Sequence, residues 1–125
     1  HPIGSSLYYH QQKSEALRRA RNFTRLRLPK FLDYFESILE AKRSGRAHMV
    51  GTELSYVDLS VFQVSAGLCY AFPRTMQKLQ PRYPRLVVLA TNVSMVPRVA
   101  RYLSSKRRIA FNQYDIFRHY PELDG

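Results

Sequence analysis

Apolar side chains recur every three or four residues along most of the chain, the spacing of amphipathic helices. From residue 13 to about residue 44 the spacing is continuous and predicts one long helix. Its inward positions are Leu17, Ala20, Thr24, Phe31, Leu32, Phe35, Ile38 and Leu39. Ser14 is the expected N-cap and Gly45 the expected end. Pro29 removes a backbone donor inside this pattern, so we expect a kink or a division into two helices there.

The start of the next helix carries the strongest local signal in the sequence. Ser55 and Asp58 have the N-cap and N3 spacing of a capping box, in which each side chain hydrogen-bonds the backbone amide of the other residue. Leu54 and Leu59 stand at the spacing of a hydrophobic staple around the same start. The helix that follows, residues 56 to 72, is apolar nearly all round. It is therefore predicted to be the buried central helix.

Prolines divide the rest of the chain into short pieces. Pro73 and Pro81 bracket a basic piece with room for a turn or two of helix. Pro84 and Pro97 each fit the first position of a further helix, the last running to about Ser105. Strand-length apolar alternation occurs nowhere in the sequence. The predicted fold class is all-α, a bundle of about five helices around a buried central helix.

Length and composition favour one domain in a reducing compartment. A chain of 125 residues suits a single helical domain, residues 1–125, with the tail 106–125 packing on it. The single cysteine, Cys69, excludes an internal disulfide, and the four histidines are scattered, so no metal site is predicted. No apolar run approaches membrane-spanning length and no signal peptide is visible, so we expect a cytoplasmic protein. The abrupt start is interpreted as that of a piece of a longer chain.

The net charge of +11 is the unusual bulk property. It suits nucleic acid, an acidic membrane surface or an acidic partner, and charge alone does not choose between them. In the basic run 13–30, Arg18, Arg21 and Arg25 share one helical face that could follow phosphates. A solvated face is the favoured interpretation, because no aromatic side chains alternate with the arginines to stack on bases. We therefore predict neither a specific nucleic-acid partner nor membrane binding.

The sequence does not contain the residues of a complete catalytic site. A serine nucleophile at Ser55 needs a base held nearby, and no histidine lies at a suitable spacing, whereas capping accounts for both Ser55 and Asp58. Cys69 is expected to be a small core residue, since it lies on the apolar helix. No catalytic, cofactor-binding or metal-binding residue is predicted in this chain.

Aromatic side chains form two groups, one near each end of the chain. The first is Tyr8 and Tyr9, and the second, at steps of three, is Phe111, Tyr114, Phe117 and Tyr120. Docking onto the core is the favoured interpretation. The alternative is a pocket for an apolar ligand, with tyrosine hydroxyls orienting the ligand. The residues proposed for that pocket are Tyr8, Tyr9, Tyr114 and Phe117.

Three stretches together resemble a known family. They are the start of the chain with residues 27–36, the capping segment 51–59, and residues 83–86 with 96–108. In this order and spacing they resemble the C-terminal helical domain of cytosolic glutathione S-transferases, nearest to the sigma-like members. The most specific element is Ser55-x-x-Asp58, which in that family is a capping and folding motif. The resemblance covers essentially the whole chain.

The resemblance implies that a second domain supplies the catalytic part of the active site. Family members place a thioredoxin-like domain first, which holds most glutathione contacts and the residue that activates the thiol. The helical domain supplies the wall of the pocket for a hydrophobic electrophile and part of a homodimer contact. This chain is therefore expected to be the C-terminal domain without its thioredoxin-like partner and inactive alone. Glutathione is then the substrate of a full-length detoxification transferase, and no cofactor belongs to this chain.

Two other functions stay open. Helical domains of this type also occur as non-catalytic interaction modules attached to translation factors and aminoacyl-tRNA synthetases, where a charge of +11 would be useful. Direct RNA binding through the basic run 13–30 is the third. A thioredoxin-like sequence with a cis-proline motif encoded just upstream of His1 would indicate the enzyme, and its absence would indicate the module.

Overall fold

The computed structural model describes residues 3–42 and 48–125, and within these ranges it consists of helices and their connections, without strands. The helices are α1 (Lys13–Asn22), α2 (Leu28–Ala41), α3 (Tyr56–Ala71), α4 (Pro73–Leu79), α5 (Pro84–Met95) and α6 (Pro97–Leu103). Short 3₁₀ turns lie at Tyr9–Gln11, Gln80–Arg82 and Pro121–Leu123. The all-α prediction is confirmed, and the predicted helix starts at Pro84 and Pro97 are correct.

The long helix predicted from residue 13 is divided by one wide turn. Phe23–Arg27 forms a π-helical segment in which the amide of Leu28 donates to the carbonyl of Phe23. Pro29 then lies in the first turn of α2, directly after the π-helical segment. The division expected at Pro29 is confirmed, although the irregular turn begins at Phe23.

The ends of this first segment differ from the prediction. α1 begins at Lys13, and the residue before it, Gln12, makes no side-chain cap to the helix. The buried Gln12 side chain accepts hydrogen bonds from the amides of Ile3 and Gly4 at 2.7 and 2.9 Å. Ser14 is therefore not the N-cap, and its exposed hydroxyl donates to Glu15 at 2.7 Å. α2 ends at Ala41, before the predicted end near residue 44. The predicted stop at Gly45 lies outside the described residues.

The main core lies between α2, α3 and α5. Its buried apolar residues are Leu28, Leu32, Leu39, Met49, Leu68, Met76, Tyr83, Leu86, Leu89 and Val93. α3 is the central helix and packs against both α5 and α4. One face of it is nevertheless open, since Tyr56 is 80% exposed and Leu59 and Val64 are also exposed. An all-round apolar sequence does not reveal which side of a helix its neighbours cover.

Three helices begin on a buried carboxylate. Glu36 of α2 accepts hydrogen bonds at 2.9 Å from the amides of Arg85 and Leu86 in the first turn of α5. Asp58 and Asp124 serve α3 and α4 in the same way, and all three side chains are buried. The first amides of a helix lack intrahelical acceptors and carry partial positive charge. A carboxylate there both accepts their hydrogen bonds and interacts favourably with that charge.

Candidate functional site

The C-terminal tail (residues 106–125) folds back over α1. The ring of Tyr120 stacks on Tyr9 with 4.1 Å between ring centroids, and the Tyr9 hydroxyl donates to Glu122 at 2.8 Å. Burial, followed by this hydrogen bond to a carboxylate, raises the pKa of Tyr9. Leu123 is buried in a second small core with two alanines of α1. Both ends of the described chain therefore meet on one side of α1.

Asp124 fixes the end of the tail on α4. Its carboxylate accepts from the amide of Arg74 at 2.7 Å, from the amide of Thr75 at 2.9 Å and from the Thr75 hydroxyl at 2.6 Å. Burial alone would raise the pKa of Asp124. The hydrogen bonds from Thr75 and Arg74 outweigh it and hold the pKa below its usual value. The carboxylate is thus charged at neutral pH and serves as a helix cap supplied from the other end of the fold.

The middle of the tail meets α3 at a glycine. Gly67 is buried in α3, and a Cβ placed on it would lie 2.5 Å from ring atoms of Phe117. Phe117 also meets Phe111 edge-on at 5.8 Å, and Phe111 stacks on Tyr70 at 5.2 Å. The absence of a side chain at Gly67 is what allows the Phe117 ring to contact the helix backbone.

A cavity of about 360 Å³, which we call the tail cavity, lies between α1, the π-helical segment, the end of α3 and the tail. Its apolar lining consists of Ala16, Ala20, Phe23, Leu68, Ala71, Phe72, Ile116, Phe117, Tyr120 and Leu123. Its polar lining consists of Arg19, Asn22, Arg27 and Arg118. A mostly apolar cavity of this size with a few polar groups has the character of a small-molecule site.

The residues predicted from the aromatic spacing fall in different places. Phe117 lines the tail cavity, whereas Tyr9 stacks on Tyr120 and does not line it. Tyr8 is 75% exposed and Tyr114 is 86% exposed. Steps of three put side chains on one face only in a helix, and the tail from 106 to 120 is not helical. The structure therefore does not bring Tyr8, Tyr9 and Tyr114 to the cavity wall, and Tyr120, left out of the predicted pocket, lies on it.

Ser55 and Asp58 form a capping box at the start of α3. Asp58 Oδ2 accepts from the Ser55 amide at 2.8 Å, and Oδ1 accepts from the amide of Met49 at 2.8 Å. The structure adds a residue that spacing did not suggest, since His48 Nδ1 lies 3.2 Å from Asp58 Oδ2. The Ser55 hydroxyl lies 3.2 Å from the same oxygen. The hydroxyl proton of Ser55 is thus directed at the Asp58 carboxylate, within the cap.

A second, smaller cavity lies between α3 and α5. It has a volume of about 200 Å³, and Cys69 lines it beside Ala66. The side-chain amide of Gln80 donates to the Cys69 sulfur at 3.6 Å. Burial raises the pKa of the thiol, so Cys69 stays protonated and a poor nucleophile at neutral pH.

Residues 3–42 and 48–125 contain neither a cluster of metal-ligating side chains nor a membrane-spanning helix. No group of three or more histidine, cysteine, aspartate or glutamate side chains in this part of the chain lies close enough together to hold a metal ion. None of its helices combines the length and the apolar character needed to cross a bilayer.

The helical bundle, the capped central helix and the comparison of sequences define the class. The family described as glutathione S-transferase, C-terminal domain, matches residues 1–106, and the chain belongs to that family. Glutathione S-transferase P 1 of Xenopus laevis is 31% identical to the chain over 84 residues. That match covers 65% of this chain and 36% of the frog protein, so the chain spans well under half of its relative. The resemblance inferred from the sequence is confirmed at the level of the family.

Proposed function

We propose that the chain forms the wall of a pocket for a hydrophobic electrophile in a glutathione transferase. The tail cavity is the observation that carries the proposal, because it offers a mostly apolar space of about 360 Å³ in a chain of this family. Glutathione enters as a substrate held mainly by a thioredoxin-like domain. The residues of this chain that touch the electrophile then determine specificity and take no part in the bond changes.

The proposed reaction divides between the two domains. The glutathione thiolate attacks an electrophilic carbon, for instance that of an aromatic halide, so that a carbon–sulfur bond forms and halide leaves. Lowering the thiol pKa is the catalytic contribution, since the thiolate is the nucleophile. We expect this chain alone to turn over 1-chloro-2,4-dinitrobenzene with glutathione no faster than the uncatalysed rate. A clear rate above that background would contradict the assignment of thiol activation to another domain.

Binding to the tail cavity is tested with a neutral apolar dye, N-phenyl-1-naphthylamine, whose fluorescence rises in apolar surroundings. Ala20 lines the tail cavity and Ala66 lines the smaller one, so Ala20→Leu and Ala66→Leu add the same volume at two different sites. We expect Ala20→Leu to weaken dye binding and Ala66→Leu to leave it unchanged, with folding checked by circular dichroism. The reverse pattern, or no dye binding at all, would remove the support for the tail cavity as the pocket.

The charge distribution favours a second candidate, the non-catalytic interaction module. Three of the nine acidic residues are buried as helix caps, which leaves six acidic residues to balance twenty lysines and arginines. A surface this basic suits an acidic partner domain. The coding sequence upstream of His1 separates the candidates, since a thioredoxin-like sequence there supports the transferase and another kind of domain supports the module.

The transferase proposal extends to the setting of the full-length protein. It includes a cytoplasmic location, a homodimer and a role in detoxification. The membership of the family supports these points. Sedimentation of the full-length protein over a range of concentrations tests the dimer, and a strictly monomeric protein would contradict that part of the proposal.

A further inference from the structure

Residues 59–114 contain no acidic residue. They hold nine lysines and arginines, and three of these, Arg74, Arg82 and Arg85, pair with carboxylates from other parts of the chain. Five more lie in and just after α6, all exposed and none in an ion pair within residues 3–42 and 48–125. This group, which we call the α6 basic surface, consists of Arg98, Arg101, Lys106, Arg107 and Arg108.

The end of α6 does not account for these cations. Cations near the end of a helix often serve its last carbonyl groups, but here two serines do so. The amide and the hydroxyl of Ser104 donate to the carbonyl of Ala100 at 3.1 and 3.2 Å. The amide and the hydroxyl of Ser105 donate to the carbonyl of Tyr102 at 3.0 and 2.7 Å. The charge of the α6 basic surface is therefore left for a partner outside the fold.

The local backbone keeps the five cations together. Arg98 and Arg101 lie three residues apart on α6, so their side chains are neighbours on one face of the helix. After α6 the chain turns, and the amide of Arg108 donates to the carbonyl of Ser105 at 3.2 Å. This turn holds residues 106–108 beside the end of the helix.

Aromatic rings lie among these cations, unlike in the basic run 13–30. Tyr102 follows Arg98 by four residues on α6, and its side chain is 46% exposed. The Arg108 guanidinium lies 5.9 Å from the centre of the Phe111 ring, which stacks on Tyr70. Phosphates pair with arginine and lysine, and bases stack on aromatic rings and guanidinium planes. An acidic protein segment would need only the cations, whereas a nucleic acid with free base faces would also use the rings.

We propose that the α6 basic surface binds single-stranded nucleic acid without sequence preference. Its cations pair with the phosphates, and the exposed ring of Tyr102 stacks on a base. Phosphate contacts carry no sequence information and a ring stacks on any base, so the binding is general. This inference goes beyond the proposed function and does not depend on the tail cavity.

The test measures fluorescence anisotropy of a fluorescein-labelled oligothymidylate of about sixteen nucleotides at several salt concentrations. Binding releases counterions from the phosphates, so the logarithm of the binding constant falls linearly with the logarithm of the salt concentration. For five phosphate contacts on a single strand we expect a slope of about −3.5. A duplex of the same length hides its base faces and should bind more weakly.

Two triple variants with the same loss of charge locate the surface. The first changes three cations of the α6 basic surface, Lys106→Gln, Arg107→Gln and Arg108→Gln, and should reduce the slope by about two units. The second changes the exposed face of the basic run 13–30, Arg18→Gln, Arg21→Gln and Arg25→Gln. It should leave the slope within about half a unit of the original. Circular dichroism checks that both variants keep the fold.

The contribution of stacking is separated from that of charge at Tyr102. Tyr102→Ala should weaken the oligothymidylate about fivefold or more and leave the salt slope unchanged, because the ring carries no charge. Tyr102→Phe keeps an aromatic ring and should bind like the original protein. Equal losses from the two variants would show that the ring does not stack on a base.

Other outcomes overturn the inference in recognisable ways. An equal or larger change of slope in the second triple variant would place the binding on the basic run 13–30 or on net charge alone. Equally strong binding of the duplex, or equally effective competition by an oligoglutamate of the same charge, would exclude a preference for single strands. No binding at about 50 mM salt would exclude the surface altogether. None of these results bears on the tail cavity, which the dye experiment tests separately.

Discussion

The carboxylate of Asp124 accepts a hydrogen bond from the hydroxyl of Thr75 at 2.6 Å, although 49 residues separate the two in the chain. It also accepts from the Thr75 and Arg74 amides, and so supplies the cap that α4 lacks locally, since its preceding residue is Phe72. The start of α4 and the position of the tail are therefore coupled through one side chain. Because the tail forms one wall of the tail cavity, the same side chain supports the candidate site.

Asp124→Asn should weaken the polar attachment of the tail while leaving its apolar side chains unchanged. The amide keeps one oxygen acceptor but loses the charge and the second acceptor, and the expected loss is about 1–2 kcal/mol of unfolding free energy. Urea unfolding measures it, and faster trypsin cleavage of the tail should accompany it. Glu122→Gln is the control, because Glu122 is exposed and the glutamine oxygen can still accept from the Tyr9 hydroxyl, so its midpoint should move much less. Equal shifts for the two variants would show that Asp124 has no special role.

Acid should release the same contact in the unchanged protein. The pKa of Asp124 in the folded state lies below its ordinary value of 3.8, so its contribution is complete above that value and is lost as the pH falls through the folded pKa. Between pH 7 and pH 5 we expect no loss of stability from this group. Below about pH 4 the difference between the protein and Asp124→Asn should shrink. A difference that stays constant down to pH 2 would contradict the role of the charge.

The sequence revealed the helix starts whose causes are local. Ser55 and Asp58 lie three residues apart, and Pro84 acts at its own position. In both cases the residues that start the helix lie within its first turn, so the sequence alone identifies them. The caps that Glu36 and Asp124 provide could not be predicted. Each acts on a helix about 50 residues away, and only the packed fold brings them there.

The residues of the candidate site could not be predicted from spacing, because they too are brought together by the fold. The spacing of Tyr114 and Phe117 suggested one face, but that inference assumed a helical tail, and the tail is irregular. One usable signal was present in Gly67, which interrupts an otherwise apolar helix. A glycine inside a helix costs about 1 kcal/mol relative to alanine and often marks a close approach. It would have indicated where the tail crosses α3.

Asp58→Ala should destabilise the domain more than the loss of an ordinary cap. The substitution leaves the amides of Met49 and Ser55 without their acceptor in a buried place, so we expect a loss of about 2–4 kcal/mol. Ser55→Ala keeps the carboxylate on both amides and should cost about 1 kcal/mol or less. Urea midpoints for the two variants decide the point. Equal losses would mean that the bond to Met49 contributes nothing.

Gly67 and Phe117 offer the sharpest test of the packing at the candidate site. Gly67→Ala improves helix propensity by about 1 kcal/mol, yet the new Cβ would lie 2.5 Å from the Phe117 ring and must displace it. Such overpacking costs about 1–3 kcal/mol, so the single variant should be neutral or destabilised. Displacement of the ring should also alter the affinity of N-phenyl-1-naphthylamine for the tail cavity.

The sign of the effect should reverse once the ring is removed. In a Phe117→Ala background the ring that the new methyl group meets is gone, so Gly67→Ala should stabilise the protein by about 1 kcal/mol through helix propensity. A double-mutant cycle from urea unfolding then gives a coupling energy of about 1–3 kcal/mol between the two positions. Additive effects would mean that the ring does not contact Gly67 in solution. Because Phe117 lines the tail cavity, that result would also question the place of Phe117 on its wall.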